Sequence, residues 1–405
     1  MPSSPAGPRR STNRVSLLVI TVAHFCVDSY ATMLAPLLPL VMVRLDLNYT
    51  SAGLLGAVGS IANMGQPLLG MWADRMARRY LVIAGLLIAA IFSPLLGVAP
   101  SYPVLVVVLC LGGFGVAAFH PQVFSLAGEL SGERRSFGLA IFIFGGTMAL
   151  GCTPFWAPYY AEHIGLDLLP LVALPGLACL PVILRFVPLD NPHFESGSST
   201  SLRQSLRGKG AGLLVITLVV VLRSISGLAF GFFLAARAVE RGLSPTQGGV
   251  LLGIYNISGV VGSLVFGYLA DRFSPKLVVF GTMLLSSPAL YGYLQSDGLT
   301  AYVLLSLGGG FLLASNSILV AMAQELAPKS SGLASSLPLG FSWGLAGLFL
   351  PPIGYAADQI GMGVVLTYLA LLPLVTAALA LALPSPPSKS ETPAQTGDGG
   401  LSAPA

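Results

Sequence analysis

The tripeptide Ala-Asp-Arg occurs twice in this chain, 197 residues apart, and each copy closes an apolar stretch. The first copy reads Gly70-Met71-Trp72-Ala73-Asp74-Arg75-Met76-Ala77-Arg78-Arg79. The second reads Gly267-Tyr268-Leu269-Ala270-Asp271-Arg272-Phe273-Ser274-Pro275-Lys276. On that offset, without gaps, Gly56, Gly65, Gly70, Asp74 and Arg75 fall on Gly253, Gly262, Gly267, Asp271 and Arg272. Farther along, after small insertions, Glu129-Leu130 matches Glu325-Leu326 and Gly138-Leu139-Ala140 matches Gly332-Leu333-Ala334. The chain is therefore one structural unit written twice. A parallel duplication of this kind places a pseudo-two-fold axis along the membrane normal with a cavity between the halves.

The solvent of that unit follows from charge. Only 9% of the residues are charged and 54% are apolar, against about 25% charged in an ordinary soluble domain. A soluble globule with so little charge has no adequate polar surface. The 48 glycines and 30 prolines suit membrane helices, which tolerate both better than soluble helices do. The net charge of +4 is not a nucleic-acid footprint, because the basic residues sit in short loops between apolar runs. A spanning helix needs about 20 apolar residues. Twelve such runs are expected, near 15–43, 50–73, 80–99, 102–128, 135–159, 167–188, 213–236, 246–269, 276–295, 300–326, 332–357 and 362–383. They divide the chain into a tail 1–14, a six-helix bundle 15–188, a Ser/Gly-rich linker 189–212, a second six-helix bundle 213–383 and a Ser/Pro/Gly-rich disordered tail 384–405. The first run is long enough to span and lacks a small-residue cleavage site, so no cleavable signal is expected. Cys26, Cys110, Cys152 and Cys179 lie inside apolar runs without metal spacing and read as small packing residues.

Orientation follows from Lys and Arg placement. With both termini in the cytoplasm, sixteen of the 20 basic residues fall on cytoplasmic segments. Arg44, Arg237 and Arg241 fall outside, and Arg223 falls within a span.

Ionisable groups inside a bilayer are costly unless paired or facing water, so each is a functional candidate. Asp28 is the acidic residue deep in a span and Arg223 the basic one. Asp28 overlays Ile225, two positions from Arg223. The opposite charges are thus expected at nearly equivalent places facing one cavity. Burial favours the neutral form of a carboxyl and a nearby cation favours the ionised form. Substrate entry can therefore change whether Asp28 holds its proton. Arg223 then holds an anionic substrate group or acts as counter-ion to Asp28. The bland alternative is a structural Asp28–Arg223 ion pair. His24 stands one turn before Asp28 on the same face. His120, just before Pro121, overlays Asn316. Both histidines are candidate proton relays, whereas His163 and His193 fall in loops. His24, Asp28 and His120 have ligand types a metal accepts, but their spacing is a weak signal and no metal is expected.

The chain resembles the major facilitator superfamily. The loop signature G-x-x-x-D-R-x-G-R-R/K is met by Gly70, Asp74, Arg75, Arg78 and Arg79, with Ala77 in place of the glycine. The second copy keeps Gly267, Asp271, Arg272 and Lys276. A narrower resemblance is to the fosmidomycin-resistance branch. It rests on His24 and Asp28, on Phe119-His120-Pro121, and on Gly138, Ala140, Gly145-Gly146, Gly151 and Pro154. Gln122 stands where that branch tends to carry an acid. The resemblance implies an all-α membrane fold of two pseudo-symmetric six-helix bundles. It places Tyr30, Gln122, Asn316 and Trp343 on cavity-lining helices, as substrate contacts. Asn63, Gln66, Tyr255 and Asn256 are further polar residues in spans. Asp74 and Asp271 then act as conformational latches, their carboxylates meeting helix N-termini of the opposite half. Arg75, Arg78 and Arg272 belong to the same loops, and Glu129 is the expected partner of Arg75 and Arg78.

The expectation is a multi-pass inner-membrane secondary transporter, not an enzyme, exporting a small organic compound or drug by alternating access. Asp28, His24 and His120 carry the proton, and Arg223 meets an anionic group. No phosphate loop of the G-x-x-x-x-G-K-S/T type occurs, so ATP is not the driver. No cofactor is expected beyond the proton gradient. The partners are a small-molecule substrate, protons and the lipid bilayer, with no nucleic acid, and the state is monomeric. The rivals are a proton symporter or uniporter for organic-acid uptake and, remotely, a membrane-embedded enzyme.

Overall fold

The computed structural model describes residues 13–73, 79–190, 210–326 and 337–384. Asp74, Arg75 and Arg78, His193 and most of the linker lie outside the described residues, as does the side chain of Asn63.

The helices follow the apolar runs to within a few residues, and their breaks have local causes. The first passage begins at α1 (Arg14–Thr32), where the Asn13 side chain accepts from the backbone of Ser16 at 3.1 Å. It continues as α2 (Leu34–Leu45). Pro36 removes the donor that would have bonded the carbonyl of Thr32, so the helix is interrupted there. The second passage is α3 (Tyr49–Met64) and α4 (Gln66–Ala73), parted at Gly65. Then come α5 (Tyr80–Phe92), α6 (Tyr102–Leu130) and α7 (Arg135–Tyr160). The sixth passage starts as a 3-10 turn, Leu166–Val172, and becomes α8 (Ala173–Phe186). In the second half α9 (Gly210–Glu240), α10 (Pro245–Arg272), α11 (Pro275–Leu294) and α12 (Gly298–Leu326) are unbroken. A capping box of Ser244 and Gln247 starts α10. The eleventh passage is α13 (Ser342–Gly347) and α14 (Leu350–Ile360), and α15 (Met362–Ala380) is the twelfth. This is the all-helical, twelve-passage arrangement expected from the repeat.

Two apolar cores form. One is built from residues between Leu17 and Val187, the other from residues between Leu213 and Leu383 together with Leu38 and Ala52. Large apolar side chains such as Val43, Leu264 and Leu299 remain exposed on the outer surface. Such a belt is stable against hydrocarbon and not against water.

The bundles meet along two related seams. On one, α3 packs on α14; on the other, α10 packs on α7. Both need backbone contact. A Cβ on Gly354 would fall 2.1 Å from the carbonyl oxygen of Tyr49, and one on Gly249 would fall 2.1 Å from that of Pro154.

Both seams are fastened at the same end of the molecule, the end away from the chain termini. The Asp358 carboxylate accepts from the backbone N–H of Tyr49 at 2.8 Å and of Thr50 at 2.9 Å. These are the first two residues of α3, whose N–H groups have no partner within the helix. The Glu162 carboxylate accepts the N–H of Thr246 at 2.9 Å, in the first turn of α10, and also its hydroxyl. Thr246 overlays Tyr49 on the 197-residue offset. An acid from each bundle therefore caps the equivalent helix of the other. The sequence places such latches at Asp74 and Asp271, for the state closed on the cytoplasmic side. Asp74 is outside the described residues, and Asp271 and Arg272 are exposed. The Arg272 guanidinium lies 4.5 Å from the ring of Tyr268, its neighbour one turn away. In this state carboxylate latches at the other end are made by Asp358 and Glu162.

Candidate functional site

Between the bundles lies a cavity of about 280 Å³, lined from both halves by Tyr30, Thr32, Val116 and Leu150 and by Leu228, Phe232, Tyr255, Asn256, Leu313 and Trp343. Beside it, three titratable side chains converge. Asp28 lies one turn from Thr32 on α1, and His120 lies one turn from Val116 on α6. His24 Nε2 is 3.2 Å from Asp28 Oδ2, and His120 Nε2 is 3.0 Å from Asp28 Oδ1. Each carboxylate oxygen thus has its own imidazole.

The backbone fixes how the imidazoles face. His24 Nδ1 is 3.0 Å from the carbonyl oxygen of Phe142, and His120 Nδ1 is 2.9 Å from that of Val116. A carbonyl only accepts, so each Nδ1 carries a hydrogen and each Nε2 is left for the carboxylate. Aromatic packing holds the inner ring: His24 stacks on Phe142 at 4.2 Å between centroids and meets Phe124 edge-on at 5.6 Å. His24 is buried, while Asp28 and His120 keep part of their surface. The i, i+4 spacing of His24 and Asp28 was legible, and His120 joins them across 92 residues. Gly146 on α7, one of the residues that carry the narrower resemblance, faces the cluster. A Cβ there would fall 2.3 Å from Asp28 Oδ2 and 2.6 Å from His24 Cε1. Its missing side chain is the space the cluster occupies.

The three ligand atoms lie within 4.8 Å of one another, a spacing that could also hold a divalent ion. Their pairwise 3.0 and 3.2 Å are hydrogen-bond distances, so shared protons account for the geometry.

The alternative of an Asp28–Arg223 ion pair is not met: the two side chains bond to other partners. Asp28 bonds to the histidines of its own bundle. Arg223 is buried in the other bundle, where its Nη2 donates to Asn316 Oδ1 at 3.3 Å and to Ser224 Oγ at 3.3 Å. Equivalent positions under a pseudo-two-fold are not contacting positions: each charge is bonded by the fourth passage of its own bundle, His120 for Asp28 and Asn316 for Arg223. Trp343 borders the cavity, with its ring centroid 5.8 Å from Arg223 Cζ. The Tyr30 ring also borders the cavity. Its hydroxyl is committed to the sixth passage, donating to the carbonyl of Val172 at the end of the 3-10 turn at 2.9 Å and accepting from the N–H of Gly176 in α8 at 3.0 Å.

Gln122 is a correction. Its Oε1 accepts the N–H of Leu81 at 3.0 Å, in the first turn of α5. It is buried there and is not among the cavity-lining residues. In this state its amide oxygen satisfies a helix end. Glu129 is bonded by Arg79, which is itself buried and donates to the carbonyl of Asp190 at 3.0 Å. Arg79 is thus a partner of Glu129 that the sequence did not single out, while Arg75 and Arg78 lie outside the described residues. The four cysteines are free.

The structure thus holds two bundles of apolar helices that enclose a small cavity beside buried, bonded charges. The chain belongs to the Major Facilitator Superfamily, whose sequence profile matches residues 20–236 and 216–404. It is 26% identical over 379 residues to the uncharacterized MFS-type transporter YfnC of Bacillus subtilis, covering 91% of this chain and 92% of that one. It is 25% identical over 397 residues to the fosmidomycin resistance protein of Escherichia coli, covering 92% and 95%. In fold it is similar to a bacterial homologue of the human lysosomal transporter Spinster, crystallised inward-facing and occupied. The TM-score is 0.78 at 14% identity, over 92% of this chain and 97% of that one.

Proposed function

We propose that this protein is a proton-coupled exporter of a small organic compound, working by alternating access in the inner membrane with both termini in the cytoplasm. The carrying observation is the His24–Asp28–His120 cluster. With both Nδ1 atoms hydrogen-bonded to carbonyls, each Nε2···carboxylate gap needs one proton to be a bond. A filled cluster therefore holds two protons in those gaps. Loss of one leaves two lone pairs facing each other across 3.0 or 3.2 Å, which loosens Asp28. A group that takes up and releases protons at membrane depth, one turn from the cavity wall, is what coupling requires.

The sense of transport is supported by the relative whose name records resistance to fosmidomycin and the orientation by the Lys and Arg bias. With that orientation the Asp358 and Glu162 latches close the outer face.

Inverted vesicles containing the protein test the reading. An acid-inside gradient should drive uptake of labelled fosmidomycin, and Asp28→Asn should remove the gradient dependence while leaving expression intact. Uptake that is unaffected by the gradient, or normal proton dependence in the variant, refutes the coupling. Uptake driven only by the reversed gradient identifies symport.

A further inference from the structure

Arg223 sits near the middle of α9 with 1% of its surface exposed. All its contacts are neutral and long: 3.4 Å to the carbonyl of Leu312, 3.3 Å to Asn316 and 3.3 Å to Ser224. Its Nε has no partner, and no carboxylate bonds the guanidinium among the described residues. A second donor close by, Nε1 of Trp343, is also buried without a partner. An uncompensated guanidinium at membrane depth is strongly unfavourable, and open N–H donors add to that cost. Such an arrangement is retained where a ligand completes it.

The Trp343 ring connects the two environments. It borders the central cavity, and its centroid lies 5.8 Å from the guanidinium carbon. We propose that Arg223, Trp343 and Asn316 form an oxyanion subsite off the central cavity, which takes the carboxylate of a monoanionic organic acid. One guanidinium neutralises one negative charge, and a planar fork of N–H donors matches a planar carboxylate. The acid's body is apolar, because the neighbouring cavity wall is Leu228, Phe232, Tyr255 and Leu313. This assignment rests on the reading of the chain as a transporter and supplies the chemical class of its substrate.

Binding needs no gradient, so the test is made on purified protein in detergent near neutral pH. Benzoate, benzamide, phenylphosphonate and chloride are titrated, with tryptophan fluorescence and melting temperature as readouts. Benzoate should bind and raise the melting temperature, with neutral benzamide about tenfold weaker or more. Arg223→Gln should weaken benzoate by about tenfold to a hundredfold. Trp343→Phe keeps an aromatic ring and loses the N–H with the second ring of the indole; it should weaken benzoate several-fold, read as the loss of ligand-induced rise in melting temperature relative to the variant's own ligand-free value. Should Arg223→Gln fail to fold, Arg223→Lys and Trp343→Phe carry the test.

Four results overturn the subsite: equal benzoate affinity in the variants, benzamide binding as well as benzoate, protection by chloride alone, or no binding of benzoate. Tighter binding of phenylphosphonate overturns the monoanion assignment. Benzoate binding without movement in vesicles sinks the transport reading and leaves the subsite standing, and transport of neutral compounds alone does the reverse.

Discussion

The Asn256 side chain donates to the carbonyl oxygen of Leu150 at 3.1 Å, from α10 of one bundle to α7 of the other. That acceptor is free because Pro154, four residues on, has no N–H to offer it. The same device recurs within the second bundle, where Pro373 frees the carbonyl of Leu369 and Ser226 donates to it at 2.7 Å. The Leu150 bond differs in crossing the seam along which the bundles must rock. Asn256→Leu should remove it at about 0.5–1.5 kcal/mol. Spin labels placed on α7 and α10 should then report a larger separated population. An unchanged distance distribution would show that the bond has no part in holding this state.

Asp358 and Glu162 close the far end of the two seams. Each caps a helix N-terminus, an interaction of about 0.5–1 kcal/mol after allowance for solvent exposure. The seams share no partner, so the two effects should add. Asp358→Ala and Glu162→Ala should each raise the population open at that end, and the double variant should show the product of the two shifts. Distance measurements across the end at low and high salt provide the check. Salt should open the wild type and have little further effect on the double variant.

The repeat made most of this architecture readable. Helix ends were legible because apolar runs of about 20 residues end at charge, proline or glycine. The breaks at Met33 and Gly65 were not, because the chain stays apolar through them and only backbone donors are lost. Asp28, His24 and Arg223 were legible because charge inside an apolar run is conspicuous. Their pairing was not. The overlay gives equivalence between the halves, whereas contact depends on which neighbour within a bundle has the reach, and that is His120 for one charge and Asn316 for the other. The capping acids carried a signal that went unread. Asp358 falls one residue from Glu162 on the 197-residue offset, so the repeat itself marks them. Gln122 misled because a polar residue in a span looks alike whether it faces a cavity or ends a helix.

Gly146→Ala tests whether the cluster geometry matters apart from its chemistry. The added methyl would stand 2.3 Å from Asp28 Oδ2, so α7 must move away or the carboxylate must turn. Overpacking of this kind costs about 1–3 kcal/mol. The variant retains His24, Asp28 and His120, yet proton dependence of transport should fall sharply. Benzoate binding in detergent should persist, because the Arg223 subsite lies in the other bundle. Normal gradient dependence with a normal melting temperature would mean that the cluster tolerates separation and that its short contacts are incidental.

The two histidines should fail differently when replaced. His24 is 3% exposed, stacked at 4.2 Å on Phe142 and bonded to a backbone carbonyl. It is part of the packing of its bundle as well as a partner of Asp28. His24→Gln removes the stacked ring and should lower stability by about 1–3 kcal/mol, with proton dependence lost as a consequence. His120 keeps 15% of its side-chain surface and bonds a carbonyl of its own helix, four residues back. Its ring meets His24, Phe119 and Phe124 at 5.3, 6.0 and 6.1 Å between centroids, looser than the 4.2 Å stack of His24 on Phe142, so its replacement disturbs packing less. His120→Gln should therefore leave the melting temperature within about 0.5 kcal/mol equivalent of wild type while transport loses its response to an imposed pH gradient. Measuring both quantities on both variants separates the roles. On the proposed coupling, protons reach the cluster from the cavity side through His120 and Asp28, with His24 as the fixed inner anchor. A variant of His120 that stays gradient-driven, beside a stable His24 variant that does not, would reverse that order.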